Sequence, residues 1–250
     1  MYGLLGKSLG HSFSKDYFTE KFSRLNLNHT YRNIELDDIS KIVEYVYNHK
    51  DLKGFNVTVP YKESIIPYLD VIDETAREVG AVNTVKVFDN GKLKGFNTDV
   101  VGFKTIICQL SDISKKGTAL ILGSGGASKA VQYVLKKENI PFKIASRNAN
   151  KLGIRNEKLV IIGYDEVNAI GFSPYSIMIN TTPVGMFPKV NECLDLPYST
   201  IESHHVFIDL IYNPEETVFL RNARLKGATT FNGMKMLHEQ AEASWKIWNH

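Results

Sequence analysis

Three stretches of this chain carry residue types whose spacing suits chemistry. The segment Gly123-Ser124-Gly125-Gly126-Ala127-Ser128 follows the apolar run TALIL and precedes AVQYVLKK, a strand–turn–helix context. Such a turn lets backbone N–H groups approach a pyrophosphate, and the helix N-terminus adds a favourable dipole. Ser128 stands where the dinucleotide fingerprint has its third glycine, and it is small enough for close helix–strand packing. About twenty residues on, NAD-binding units place a carboxylate for the ribose 2′-hydroxyl. Here the chain reads Ser146-Arg147-Asn148, then Lys151. A guanidinium pairs bidentately with a 2′-phosphate and no carboxylate repels it, so NADP is expected over NAD. The bland reading of Arg147 is a solvated surface charge.

The second stretch is NVTVPYK, which places Lys62 two residues past Pro60. Pro60 suits the first position of a helix, so Lys62 is expected in a first turn. The dipole there favours a neutral amine that can assist proton transfer, although most lysines in such turns are merely solvated. The third is a hairpin, TVKVFDNGKLKGF, turning at Asn90-Gly91. A two-residue loop sets Asn83 across from Thr98 and beside Asp99. The polar groups of AVNT and FNTD then meet at one end of a sheet, where a carboxylate, an amide and a hydroxyl suit a polyhydroxylated substrate. The competing reading is that these side chains only satisfy strand ends.

The elements that must position these groups alternate along the chain, which indicates an α/β protein. Strands are expected at Tyr2–Gly6, His29–Leu36, GFNVTVP, Thr118–Gly123, Phe142–Ser146, Leu159–Ile162, Ser176–Asn180 and Val206–Leu210. Helical spacing links Phe18, Phe22 and Leu25; Ile39, Ile42, Val43 and Val46; and Phe103, Ile106, Ile107 and Leu110. The last helix runs from Gly233 to Trp248, with Met234, Leu237, Ala241, Trp245 and Trp248 on one face.

Composition narrows the function classes. At 250 residues and 43% hydrophobic, one or two domains with a sizeable core are expected. Thirty basic against 27 acidic residues leave +3, without the clustered positive charge that nucleic acid or an anionic membrane needs. No apolar stretch is long enough to span a bilayer, and the N-terminus lacks the pattern of a secretion signal. Cys108 and Cys193 form no Cys-x-x-Cys spacing, and the seven histidines do not cluster with metal spacing. A cytoplasmic enzyme without a metal is expected.

Taken in order, nine blocks resemble the shikimate dehydrogenase family over essentially the whole chain. They are GHSFS at 10–14, NVTVPYKE at 56–63, GAVNT at 80–84, GFNTD at 95–99, GSGGAS at 123–128, SRN at 146–148, NTTPVGM at 180–186, DLIYNPEET at 209–217 and NGMKMLHEQA at 232–241. The resemblance implies a two-lobed α/β fold with a cleft between the lobes. The substrate domain would comprise 1–100 plus 235–250, and a Rossmann-like NADP domain 101–234.

It further implies reversible NADPH-dependent reduction of 3-dehydroshikimate to shikimate, on the route to chorismate and the aromatic amino acids, with Lys62 and Asp99 as the acid–base pair. By the same resemblance, Ser12 and Ser14 hold the substrate carboxylate, with Tyr212 nearby. Thr58, Asn83, Thr98 and Gln240 bind the rest of the substrate, while Gly233 and Met236 lie near the nicotinamide. Core packing is the bland alternative for Tyr212 and Met236. The chain departs from the family pattern at Ser8 and Lys15, where prolines are common, and at Ser128. Two other readings stay open: a quinate/shikimate dehydrogenase using NAD, and a non-catalytic NADP-binding module. A monomer or homodimer acting on a small molecule, with neither nucleic acid nor membrane as partner, completes the expectation.

Overall fold

The computed structural model describes residues 1–10, 13–147, 149 and 160–250. Within these, the chain divides into two compact units, Met1–Asp99 with Gln240–His250, and Val100–Glu239.

The first unit is built on strands β1 (Tyr2–Gly6), β2 (Tyr31–Glu35), β3 (Gly54–Val57), β4 (Val71–Ile72), β5 (Thr84–Val87) and β6 (Leu93–Phe96). They form one mixed sheet in the order β2-β1-β3-β5-β6-β4. The β2, β1 and β3 strands are parallel, whereas β3, β5 and β6 pair antiparallel and β4 joins β6 in parallel. Helices α1 (Phe13–Arg24), α2 (Ile42–Asn48), α3 (Tyr61–Ser64) and α4 (Glu74–Val79) connect them. One apolar cluster gathers Leu5, Ile34, Ile42, Phe55, Val57 and Val85, and a second joins Tyr2, Phe18, Phe22, Tyr31 and Trp248. Gly54 is required where it stands: a Cβ there would lie 2.4 Å from the Trp248 indole nitrogen, which donates to Val85 O at 3.0 Å.

Several expected details shift. Leu25 lies one residue beyond α1 and Val43 points outward, 46% and 54% exposed, so neither belongs to the buried stripe of its helix. Ile39 belongs to a separate 3₁₀ turn, Ile39–Lys41. The hairpin loop has three residues, not two. Phe88 N–H donates to Lys92 O, and Gly91, at φ +79°, donates to Phe88 O at 2.8 Å. This is a turn closed by a left-handed glycine. The register moves by one as a result: Thr84 pairs with Phe96 and Val87 with Leu93, so Asn83 falls level with Asn97 rather than Thr98.

The second unit holds β7 (Thr118–Leu122), β8 (Phe142–Ala145), β9 (Val160–Ile162), β10 (Tyr175–Asn180), β11 (Val206–Asp209) and β12 (Thr229–Phe231). Their order is β12-β11-β10-β7-β8-β9, parallel throughout, the doubly wound arrangement. Helices α5 (Asp99–Ile107), α6 (Asp112–Lys115), α7 (Gly126–Lys137), α8 (Tyr164–Ile170) and α9 (Val218–Leu225) accompany it. Alternate residues of each strand feed two cores: Ala119, Ile121, Ile177, Ile179 and Ile208 face one, and Leu120, Leu122, Met178 and Phe207 the other. A sheet covered on both faces explains why TALIL is apolar throughout rather than alternating. The last helix, α10 (Met234–Asn249), contains the division between the units. His204 and His205 precede β11 on a turn, with ring centroids 4.2 Å apart.

Candidate functional site

In the first unit, β5 starts one residue after Asn83, and β6 ends two residues before Thr98. That geometry brings Asn83, Thr98 and Asp99 to one sheet end despite the changed register, because the Asn83 side chain reaches one residue along the neighbouring chain. Its Oδ1 accepts the Thr98 N–H at 2.7 Å, and its Nδ2 donates to Thr98 Oγ1 at 3.0 Å and Asp99 Oδ1 at 2.8 Å. Since a backbone N–H can only donate, the amide has one orientation, with the NH₂ turned to the carboxylate.

The other Asp99 oxygen, Oδ2, receives Lys62 Nζ at 2.6 Å. The two side chains are 9% and 17% exposed, so this is a largely desolvated pair. The helix expected to open at Pro60 is a single turn, with Pro60 at its N-cap. Four residues carry almost no aligned dipole, so the carboxylate of Asp99, not the helix end, sets the electrostatics around Nζ.

Beneath this pair lies a buried polar network that the motifs did not announce. Asn56, in the centre of β3, donates from Nδ2 to Ser244 Oγ at 2.9 Å, Thr84 Oγ1 at 3.1 Å and Asn83 O at 3.3 Å. Its Oδ1 accepts from the Tyr31 hydroxyl at 2.8 Å. Tyr31 in turn hydrogen-bonds Ser14, in the first turn of α1, and burial raises its hydroxyl pKa. Asn56, Asn83, Thr84, Thr98, Asp99 and Ser244 are all buried. So is Gln240, with Oε1 3.5 Å from both Asn83 Nδ2 and Thr98 Oγ1. Such groups are tolerable inside only when they satisfy one another. A polar residue amid the all-buried β3 was one available signal, and Gln240 and Ser244 at i, i+4 on one helix was another.

Thr58 lies just past β3, half-buried, with its N–H on Leu5 O at 2.8 Å. Ser12 lies outside the described residues.

In the second unit the glycine segment opens α7. Gly123 has φ +106° and Gly125 caps the helix without any side-chain cap bond, while a Cβ on Gly125 would meet nothing within 4 Å. First-turn N–H groups at an open glycine surface fit a pyrophosphate, with Ser124, Gly126 and Ala127 completing the turn. Ser128 is fully buried and accepts from Gln132 Nε2 at 3.1 Å, so it packs the helix as the missing glycine would. Ser124 Oγ lies 3.2 Å from Ser146 Oγ, tying this loop to the end of β8. Arg147 follows, exposed, and its charge acts on the hydroxyl of Tyr164, the first residue of α8, lowering a pKa that burial raises. Asn148 and Lys151 lie outside the described residues.

Asn180 and Asp209 end β10 and β11 and share a bond of 3.1 Å. Asp209 also accepts from Thr217 Oγ1 at 2.6 Å and Ile211 N–H at 3.0 Å; burial pushes its carboxyl up to about 6 despite these bonds. Tyr212 is half-buried in the loop that follows. Gly233 sits where a Cβ would lie 2.1 Å from Leu210 O, and Met236 is buried in the core with its carbonyl against Gly102. Among the described residues, no group of three or more His, Cys, Asp or Glu could hold a metal ion, and no helix is long and apolar enough to cross a membrane.

The family model for the shikimate dehydrogenase substrate-binding domain matches residues 4–85. A shikimate dehydrogenase (NADP(+)) of Methanococcus maripaludis is 41% identical over 98% of this chain and 90% of its own. Among solved structures, the shikimate 5-dehydrogenase of Thermus thermophilus, in complex with NADP(H) and shikimate, superposes with TM-score 0.84 at 28% identity, covering 99% of this chain and 92% of that one. The quinate dehydrogenase of Corynebacterium glutamicum, in complex with NAD, superposes with TM-score 0.86 at 26% identity and the same coverage. With 41% identity sustained over nearly the whole length, and the Lys62–Asp99 pair and glycine turn in place, the chain belongs to the shikimate dehydrogenase family.

Proposed function

We propose that this protein is an NADP-dependent shikimate dehydrogenase, interconverting 3-dehydroshikimate and shikimate on the route to chorismate and the aromatic amino acids. The observation that carries the reading is the Lys62–Asp99 pair fixed by Asn83. A sensor that merely bound NADP would need no desolvated ammonium beside buried hydrogen-bonding groups. When bound, NADP supplies or accepts the hydride at its nicotinamide ring.

The chain's own part is binding and proton transfer. Lys62 Nζ donates a proton to the oxygen of the reduced carbonyl, and in the oxidative direction takes the hydroxyl proton back. Asp99 keeps Nζ in place and balances its charge, while Asn83 keeps Asp99 from turning. Ser12 and Ser14 bind the substrate carboxylate, joined by Tyr212. Thr58, Asn83, Thr98 and Gln240 bind the rest of the substrate. The dinucleotide falls to Gly123, Ser124, Gly125, Gly126, Ala127 and Ser146, with Gly233 and Met236 toward the nicotinamide. Arg147, with Asn148 and Lys151, answers the 2′-phosphate.

These assignments make the first unit the substrate domain and the second the NADP domain. Two exposed free cysteines suit a reducing cytoplasm, with the enzyme working as a monomer or homodimer. The test is the rate of nicotinamide reduction with shikimate and with quinate, each against NADP⁺ and NAD⁺. Fastest turnover with shikimate and NADP⁺ is expected. Preference for quinate with NAD⁺ would establish the sister activity, and no turnover with any pair would refute both.

A further inference from the structure

Ser244 touches no residue of the proposed acid–base pair, yet it sits at the centre of the groups that hold it. It lies on α10, fully buried, and its hydroxyl donates to Gln240 O at 2.9 Å. With that single proton committed, every other contact of Oγ is one in which Ser244 accepts. Three donors face it: Asn56 Nδ2 at 2.9 Å, Thr84 Oγ1 at 2.8 Å and Thr98 Oγ1 at 3.1 Å. Asn56 takes one lone pair, leaving one for the threonines.

Apart from Gln240 Oε1, 3.5 Å from Thr98 Oγ1, the alternatives open to those threonine protons fall on atoms that orient Asn83. Thr84 and Thr98 each lie 3.2 Å from Asn83 Oδ1, which already receives the Thr98 N–H. Thr84 can otherwise turn to Thr98 Oγ1 at 3.1 Å, the atom that receives Asn83 Nδ2. Without the Ser244 oxygen, the Thr84 proton competes with Asn83 Nδ2 for Thr98 Oγ1, the Thr98 proton turns to Asn83 Oδ1 or to the more distant Gln240 Oε1, and Asn56 loses a partner as well.

The geometry points to Ser244 as a positioning residue for the reaction: by absorbing one threonine proton and one Asn56 proton, it keeps the Asn83 amide turned to Asp99 and so holds Lys62. The effect runs Ser244, Thr98, Asn83, Asp99, Lys62, and it rests on the acid–base reading given above.

A double-mutant cycle tests this in the intact enzyme, with shikimate and NADP⁺ as substrates. Ser244→Ala is expected to lower kcat about tenfold with the KM for NADP⁺ unchanged, the scale of a weakened acid–base contribution. In an Asp99→Asn background, where the carboxylate that Ser244 serves is already gone, the same change should cost less than twofold. A general loss of packing would instead lower kcat by the same factor in both backgrounds. That result, or an unchanged kcat in the single variant, would overturn the inference. If alanine prevents folding, Ser244→Cys fills the site with a poorer hydrogen-bonding atom and should show the same background dependence. Wild-type enzyme, assayed alongside, separates the two readings, because absent turnover there strikes the function itself.

Discussion

Asn83→Asp strikes directly at the group that holds the acid–base pair. The replacement keeps the shape and keeps an acceptor for the Thr98 N–H, but it turns the donor that faces Asp99 Oδ1 at 2.8 Å into a second carboxylate oxygen. Two unit charges at that distance repel by about 6 kcal/mol at an effective dielectric of 20. The pair can escape by holding a proton, and for a carboxyl of ordinary pKa near 3.9 that costs about 4 kcal/mol at pH 7. The smaller figure governs, so the variant should be about 4 kcal/mol less stable than wild type at pH 7. At pH 5 the same proton costs only about 1.5 kcal/mol. The sign follows from linkage: the folded variant binds a proton that its unfolded chain releases, so its deficit shrinks as pH falls. Urea unfolding of both proteins between pH 5 and 7 measures this, and kcat at pH 7 should fall by about 10² or more. A deficit that stayed constant with pH would show that Asn83 does not face Asp99.

Three other outcomes follow from the second unit. Arg147→Ala should weaken NADP binding more than NAD binding, measured by titration of each dinucleotide; equal losses would remove the 2′-phosphate contact. Gly125→Ala should leave the melting temperature unchanged, because its Cβ meets nothing, while the NADP Kd rises as the methyl fills the phosphate surface. Tight binding in that variant would show that the pyrophosphate lies elsewhere. For Asp209 the folded pKa is raised to about 6, so its contribution is fully present below the unfolded value near 3.8 and is lost as pH rises through 6. Wild type should therefore lose about 2 kcal/mol relative to Asp209→Asn between pH 4 and pH 7, read from urea unfolding; parallel curves would contradict the burial effect.

Much of the fold could be read locally because each strand–turn–helix unit carries its own signal. TALIL-GSGG-ASKAVQYVLKK is legible because a doubly buried strand, a glycine turn and an amphipathic helix follow one another without interruption. What could not be read depends on contacts distant in sequence. Asn90-Gly91 signals a hairpin but not its loop length, and the left-handed Gly91 closing a three-residue loop shifted the register by one. Asn83 still found Thr98 and Asp99, because a side-chain amide spans the residue that the backbone register lost. Val43 satisfies the helical spacing of α2 yet faces outward, since the preceding turn is 3₁₀ and rotates the stripe. Short strands such as β4 and β12 carry too few residues for an alternating pattern. Ser244 looks like any helical serine until the fold brings Asn56, Thr84 and Thr98 around it.

Everything proposed for the reaction turns on Lys62 moving the proton while other groups bind. The most direct test is kcat for shikimate oxidation with NADP⁺ in wild type and Lys62→Ala, with NADP affinity measured on both. The expected result is that kcat falls by roughly 10²–10⁴ while NADP binds as before. Near-normal kcat in a folded Lys62→Ala variant would contradict it.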